Sequence, residues 1–170
     1  MAAHRQFFLT LYADPARRRG YRRWGIKEVR LGADEATYLR WLFPAAKLLF
    51  LYRNPYHAYR SYRLKRSWFD RWPEEPVLTP LQFGRMWKRL TEGFLERHEK
   101  LDGRLVQYEE LCSGRLSAEL SAYLDLPLRE DALRKVILGR RRELEAVPAP
   151  ERRLLRRAVE PLASRLGYEP

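Results

Sequence analysis

A short apolar run at positions 47–52 (KLLFLY) most constrains the fold, because the polar residues Arg53, Asn54 and Pro55 follow it at once. A continuous apolar run with polar ends is typical of a strand buried on both faces of a parallel sheet. Asn is a favoured helix N-cap and Pro is favoured at the first helical position, so a helix is predicted to run from Asn54-Pro55 to about Trp68. Open α/β sheets bind ligands where such a strand gives way to its helix. The pattern therefore predicts a ligand-binding edge at Arg53.

Hydrophobic periodicity predicts further elements on both sides of this segment. A short strand with a turn is predicted at 25–31 (GIKEVRL) and a short strand at 104–108 (RLVQY). Helices are predicted within 1–23 and over 34–43, 81–100, 116–124 and 151–166. Strands that alternate with helices predict an α/β fold with a mainly parallel sheet of few strands flanked by helices. The prolines of 69–80 predict an insertion or lid within a single domain of residues 1–170.

Composition excludes several classes of protein. A content of 45% hydrophobic residues is too high for a disordered basic tail. No apolar run approaches the length of about 20 residues that spans a bilayer, and the first residues lack the features of a signal peptide. The single cysteine, Cys112, and three scattered histidines exclude a disulfide scaffold and a zinc module. We expect a cytoplasmic protein that contacts no membrane.

The net charge of +12 is carried mainly by arginine, which outnumbers lysine 28 to 6. The guanidinium group is a fork that matches phosphate or sulfate oxygens, so the composition favours a partner rich in such oxygens, either nucleic acid or a phosphorylated cofactor. The same arginines also fit solvated surfaces, because net charge alone does not specify a site.

Arg53 and Ser61 form the most specific candidate site. Ser61 lies about two helical turns into the helix that Asn54 caps, and the free amides at the start of that helix favour an anion. The arginine side chain is long enough to lie along the helix and share an oxyanion with the Ser61 hydroxyl. The same residues also fit an exposed ion pair and a solvent-facing serine.

The strand, Arg53, Asn54-Pro55 and Ser61 together resemble the 3′-phosphate-binding motif of sulfotransferases that use 3′-phosphoadenosine-5′-phosphosulfate (PAPS). In that family an arginine and a serine at this spacing hold the 3′-phosphate of the nucleotide, and many relatives have Asp where this chain has Asn54. Further stretches resemble the family in the same order, namely WGIKE at 24–28, LFPAAK at 42–47, VQYEEL at 106–111 followed by LDLP at 124–127, and LGY at 166–168.

The family normally begins with a strand and a Gly/Ser/Thr-rich loop that binds the 5′-phosphosulfate, and nothing similar precedes Trp24. The chain therefore resembles the later two thirds of a P-loop-type sulfotransferase domain. It is expected to be truncated, started internally, completed by a second chain, or degenerate. The resemblance implies PAPS as co-substrate, no metal, and a small-molecule or carbohydrate acceptor with a hydroxyl or amine group.

The resemblance also implies roles for individual side chains. Lys27 is the predicted catalytic residue, whose ammonium group reaches the oxygen between sulfur and phosphate. Arg53 and Ser61 bind the 3′-phosphate, Arg30 supports the sulfonate, and Arg141 closes over the nucleotide. Lys27, Arg30 and Arg141 also fit exposed surface charges. No general base is assigned.

Two other functions compete with sulfuryl transfer. One is a non-catalytic basic module that keeps only the nucleotide half-site or binds nucleic acid through arginines and aromatic residues. The other is a kinase relative, which is disfavoured because the chain contains no Gly-x-x-x-x-Gly-Lys-Ser/Thr string.

Overall fold

A computed structural model of the chain describes residues 2–63, 76–129, 131 and 147–169. The chain divides into two compact units, Met1–Ala46 and Lys47–Pro170. That all 170 residues work as one domain stays a prediction. Of the insertion predicted at 69–80, residues 69–75 lie outside the described residues. Within the described ranges, none of the helices combines the length and the apolar character needed to cross a bilayer.

The first unit is helical where helices are predicted. Its elements are α1 (Ala2–Phe8), a π-helical turn (Leu9–Ala13), α2 (Asp14–Arg18) and α3 (Ala33–Leu42). The aromatic ring of Trp24 stacks on Tyr12 at a centroid distance of 6.2 Å and meets the Phe43 ring at 5.5 Å. These rings pack the helices of this unit together.

The strand predicted at 25–31 is wrong, because these residues are described and form no strand. Glu28 explains the difference. Its Oε1 accepts hydrogen bonds from the backbone N–H groups of Val29, at 2.9 Å, and Arg30, at 3.2 Å. A side chain that binds nearby backbone N–H groups competes with a strand ladder for the same donors.

The second unit contains a two-stranded parallel sheet, formed by β1 (Leu49–Tyr52) and β2 (Arg104–Gln107). Leu49 pairs with Arg104 and Tyr52 pairs with Gln107. The mixed α/β class and the parallel pairing are thus confirmed, with two strands in the described residues. The predicted burial of β1 on both faces is wrong, because Leu49 and Leu51 are 44% and 41% exposed. Among the described residues of β1, Phe50 is buried and its neighbours on the other face, Leu49 and Leu51, are exposed.

Helices flank this sheet. They are α4 (Pro55–Arg63), α5 (Pro80–Arg97), α6 (Tyr108–Ser113), α7 (Ser117–Leu124), α8 (Ala149–Val159) and α9 (Leu162–Arg165). The predicted helix beyond Arg63, at 64–68, lies outside the described residues. The single helix predicted over 151–166 is interrupted after Val159, because Pro161 has no backbone N–H to continue the ladder. The short helix α6 is not predicted by periodicity.

The core of the second unit lies among α4, α5, α8 and α9. Its buried side chains include Tyr56, Tyr59, Tyr62, Phe83, Trp87, Leu155, Val159 and Leu162. Gly84 of α5 allows the closest approach, since a Cβ atom placed there would lie 2.5 Å from the Cβ of Ala158 on α8. This core holds the start of α4 and the side chain of Trp87 beneath the end of β1.

Candidate anion-binding site

The candidate site lies at the carboxyl edge of the sheet. Arg53 directly follows Tyr52, and Tyr108 directly follows Gln107, which is the register partner of Tyr52. Parallel strands emerge at the same edge, so the two residues meet there. The indole Nε1 of Trp87 donates a hydrogen bond of 2.8 Å to the Arg53 carbonyl oxygen and fixes the backbone at this point.

Asn54 caps α4, as the sequence predicts. Its Oδ1 accepts hydrogen bonds from the backbone N–H groups of Tyr56, at 2.9 Å, and His57, at 3.1 Å. The cap leaves the positive end of the helix dipole beside Arg53. Asn54 is therefore a structural residue of the site.

The side chain of Arg53 extends along α4 to Ser61, as its predicted role requires. Nη1 lies 3.4 Å from the Ser61 Oγ, and the guanidinium carbon lies 4.5 Å from the centre of the Tyr108 ring. The Nε atom is buried and has no hydrogen-bond partner among the described residues. Both Arg53 and Ser61 are half-buried. The structure thus brings together the two residues predicted to hold the 3′-phosphate, and their ligand stays a prediction.

Glu109 joins the end of β1 to the carboxyl end of the chain. Its Oε1 accepts a hydrogen bond of 3.1 Å from the backbone N–H of Asn54, and its Oε2 accepts one of 3.1 Å from the Tyr168 hydroxyl. Burial and the Glu109 carboxylate together raise the pKa of Tyr168, which keeps its phenol protonated as a donor. Glu109 therefore holds the turn that carries Arg53.

The pKa of His57, in the first turn of α4, is lowered from its ordinary value. Desolvation of the imidazole is the largest cause that lowers the pKa of His57. The charges of Arg53 and Arg60 lower it further, and the Glu109 carboxylate opposes them. The net effect favours a neutral imidazole beside a site that would attract anions.

Lys27 and Arg30 belong to the first unit and are described within it. Lys27 is exposed. The guanidinium of Arg30 is bound by Glu28, with Nε and Nη2 each 2.9 Å from a carboxylate oxygen. This hydrogen bonding is the largest cause that lowers the pKa of Glu28, to about 2. Arg30, which is predicted to support the sulfonate, is therefore already paired with the carboxylate of Glu28. Arg141, which is predicted to close over the nucleotide, lies outside the described residues.

Sequence reasoning missed the contributions of Trp87, Tyr108 and Glu109. A signal for two of them was present, because Tyr108 is the last residue of the strand predicted at 104–108 and Glu109 directly follows it. Residues that follow parallel neighbours share an edge, so their proximity to Arg53 follows once the two strands are paired.

The geometry resembles a small oxyanion site, with a guanidinium fork, a hydroxyl and a capped helix terminus on one sheet edge. Comparisons of the chain with family models, with curated proteins and with solved structures find no match.

Proposed function

We propose that this chain binds the 3′-phosphate of PAPS at Arg53, Ser61 and the start of α4, and that it serves transfer of the sulfuryl group to a hydroxyl or amine acceptor. The observation that carries the proposal is the approach of Arg53 Nη1 to Ser61 Oγ, at 3.4 Å, directly after β1. The proposed architecture is a P-loop-type sulfotransferase domain.

The donor chemistry supports a phosphate ligand. Ser61 Oγ accepts from Arg53 and keeps its own hydrogen for an incoming oxygen. Arg53 Nε has no acceptor among the described residues, and a buried unpaired donor carries a desolvation cost that an anion would offset after a side-chain adjustment. A phosphate dianion would also gain from the positive end of α4.

Sulfuryl transfer needs positioning and charge stabilisation more than covalent help from the protein. In this proposal Arg53 and Ser61 anchor the nucleotide, and the ammonium group of Lys27 donates to the bridging oxygen as the leaving phosphate gains charge. Arg30 would have to exchange Glu28 for the sulfonate. Arg141 is proposed to cover the nucleotide. A second chain or a further segment would bind the 5′-phosphosulfate.

The decisive test of the site is a comparison of two nucleotides by calorimetry. Adenosine 3′,5′-bisphosphate should bind at least tenfold more tightly than adenosine 5′-monophosphate, since a charge-assisted hydrogen bond contributes about 1.5–3 kcal/mol. Arg53→Ala should erase this preference, and Ser61→Ala should reduce it. Arg85→Ala removes the same charge from an exposed position of α5 and should leave the preference intact. Equal affinity of the wild-type chain for both nucleotides would contradict the proposal.

Catalysis requires a separate measurement. Radiolabelled sulfate should pass from PAPS to a mixture of hydroxyl and amine acceptors, with release of the bisphosphate. Lys27→Ala should abolish this transfer while leaving the affinity for the bisphosphate unchanged. Transfer that persists in Lys27→Ala would remove Lys27 from the proposed mechanism.

A non-catalytic nucleic-acid-binding function is favoured by one specific observation. Helix α8 carries four exposed arginines that form no ion pair with a described residue, namely Arg152, Arg153, Arg156 and Arg157. Binding to phosphate backbones would weaken steeply with salt, whereas a preorganised nucleotide site would depend on salt much less. Loss of RNA or DNA binding after all four are changed to Ala, with the nucleotide preference kept, would assign the two activities to different surfaces.

A further inference from the structure

We propose that Tyr108 is a positioning residue for this anion site, whose ring holds the Arg53 guanidinium where it can meet a phosphate. The inference rests on the proposed function of Arg53. Its basis is the position of the guanidinium carbon over the Tyr108 ring, 4.5 Å from the ring centre. Cations placed over an aromatic face within about 6 Å are attracted by the ring electrons.

Holding the guanidinium in place before binding increases affinity because arginine has a long and flexible side chain. Ordering such a side chain during binding reduces affinity, and preorganising it removes that loss. Three contacts limit Arg53 before any ligand arrives. Tyr108 covers one face of the guanidinium, Ser61 Oγ receives Nη1, and Trp87 Nε1 binds the Arg53 carbonyl oxygen.

The residue after Tyr108 supports the same arrangement. Glu109 binds the backbone N–H of Asn54, so consecutive residues after β2 contact consecutive residues after β1. Tyr168 in turn donates to Glu109. The end of β2 therefore braces both the side chain of Arg53 and the turn from which that side chain extends.

The opposite edge of the sheet offers a matched control. The ring of Tyr123 lies 4.7 Å from the guanidinium carbon of Arg104 and 4.8 Å from Lys47 Nζ. Its hydroxyl also donates to the Asp102 carbonyl oxygen, at 2.9 Å. Tyr123 thus makes the same kind of cation contact at the amino ends of the strands, away from Ser61. Loss of this contact should perturb the sheet without perturbing the anion site.

The test measures binding of adenosine 3′,5′-bisphosphate and adenosine 5′-monophosphate to paired variants. Tyr108→Leu should weaken the bisphosphate about tenfold while affecting the monophosphate little, in the range measured for desolvated cation–aromatic contacts. Tyr123→Leu should leave the ratio of the two affinities unchanged. In an Arg53→Ala background, Tyr108→Leu should have no further effect on that ratio, because Tyr108 acts through Arg53.

A second set of variants preserves packing in case Tyr108→Leu does not fold. Tyr108→Phe keeps the aromatic face and should bind as the wild type does. Placing 3,4,5-trifluorophenylalanine at position 108 keeps the ring but withdraws electron density from its face, so it should weaken the bisphosphate. Equal affinity of the phenylalanine and trifluorophenylalanine variants for the bisphosphate would overturn the inference. An equal loss of bisphosphate affinity from Tyr108→Leu in the presence and in the absence of Arg53 would also overturn it.

The pKa of His57 separates failure of this inference from failure of the proposed function. Desolvation is the largest cause that lowers this pKa, Arg53 and Arg60 lower it further and Glu109 raises it, so displacement of the Arg53 charge should raise it even without a ligand. NMR titration of Tyr108→Leu should therefore show a raised pKa of His57, and Tyr123→Leu should not. A wild-type chain that does not prefer the bisphosphate would refute the proposed function, while this shift would still support the positioning of Arg53 by Tyr108. An unchanged pKa of His57 in Tyr108→Leu would refute the positioning itself.

Discussion

Replacement of Gly84 by alanine should destabilise the second unit, although alanine is the better helix former. The added Cβ would lie 2.5 Å from Ala158 Cβ, whereas carbon atoms in contact are normally about 3.5–4.0 Å apart. Ala158 Cβ is bonded directly to the backbone of α8 and cannot rotate away, so α5 and α8 must separate. Overpacking costs about 1–3 kcal/mol, and a fixed backbone-bonded Cβ places this site in the upper part of that range, about 2–3 kcal/mol, while the gain in helix propensity returns about 1 kcal/mol. We expect a net loss of about 1–2 kcal/mol in the free energy of unfolding.

Thermal and urea denaturation measure this loss, and a double-mutant cycle identifies its cause. A loss of about 1–2 kcal/mol should lower the melting temperature by about 3–6 °C for a chain of this size. Ala158→Gly alone should cost about 1 kcal/mol through helix propensity. In that background Gly84→Ala should be nearly neutral or stabilising, because the overlapping atom is gone. Gly25→Ala, which meets no atom within 4 Å, should change stability by less than about 0.5 kcal/mol. Additive losses from Gly84→Ala and Ala158→Gly would refute the argument from close packing.

Three further outcomes follow from the site and its surroundings. Asn54→Ala should lower the free energy of unfolding by about 1 kcal/mol in urea titrations because the cap to two backbone N–H groups is lost, and Asn54→Asp should retain most of it. Since the pKa of His57 is lowered in the folded state, its contribution to the free energy of unfolding is present above the unfolded pKa of 6.5 and is lost as pH falls below that value. Arg53→Ala should raise the pKa of His57 in NMR titrations and reduce the loss of stability at acid pH. Burial, and after it the charge of Glu160, raises the pKa of Tyr56 to about 12. The neutral phenol therefore contributes fully to stability below pH 10.0, and this contribution disappears as pH rises towards 12. Tyr56→Phe should flatten the dependence of the free energy of unfolding on pH in this range, as measured by urea titrations.

Local signals in the sequence predict the framework of the site. Asn54-Pro55 marks the start of α4 because each residue has a specific role at a helix terminus, and the structure places the cap there. The apolar run before it marks β1. The spacing of Arg53 and Ser61 then suffices to predict their approach, because an arginine can follow the helix surface for about two turns. The roles assigned by family resemblance stay predictions.

What the sequence could not provide depends on contacts between distant segments. Periodicity cannot say that Leu49 and Leu51 of β1 are exposed, because the number of neighbouring layers is a tertiary property. The strand predicted at 25–31 fails because Glu28 binds its own neighbouring backbone, which a hydrophobic pattern does not encode. Tyr108 gains significance only once β2 is paired with β1, since the parallel register brings its ring to Arg53.

The parallel register also restricts which insertions and deletions this chain can accept. Arg53 and Tyr108 each come one residue after a four-residue strand, so the equal lengths of the two paired strands place these residues level with each other. Removing a single residue from either strand would send the following side chains to the opposite face of the sheet and separate the pair. Changes of length in the crossover beyond Ser61 would leave both strand lengths and the spacing of Arg53 and Ser61 unchanged. In a library of deletions, loss of anion binding should therefore concentrate in 49–61 and 104–109, which gives a map of the site that needs no knowledge of its ligand's full identity.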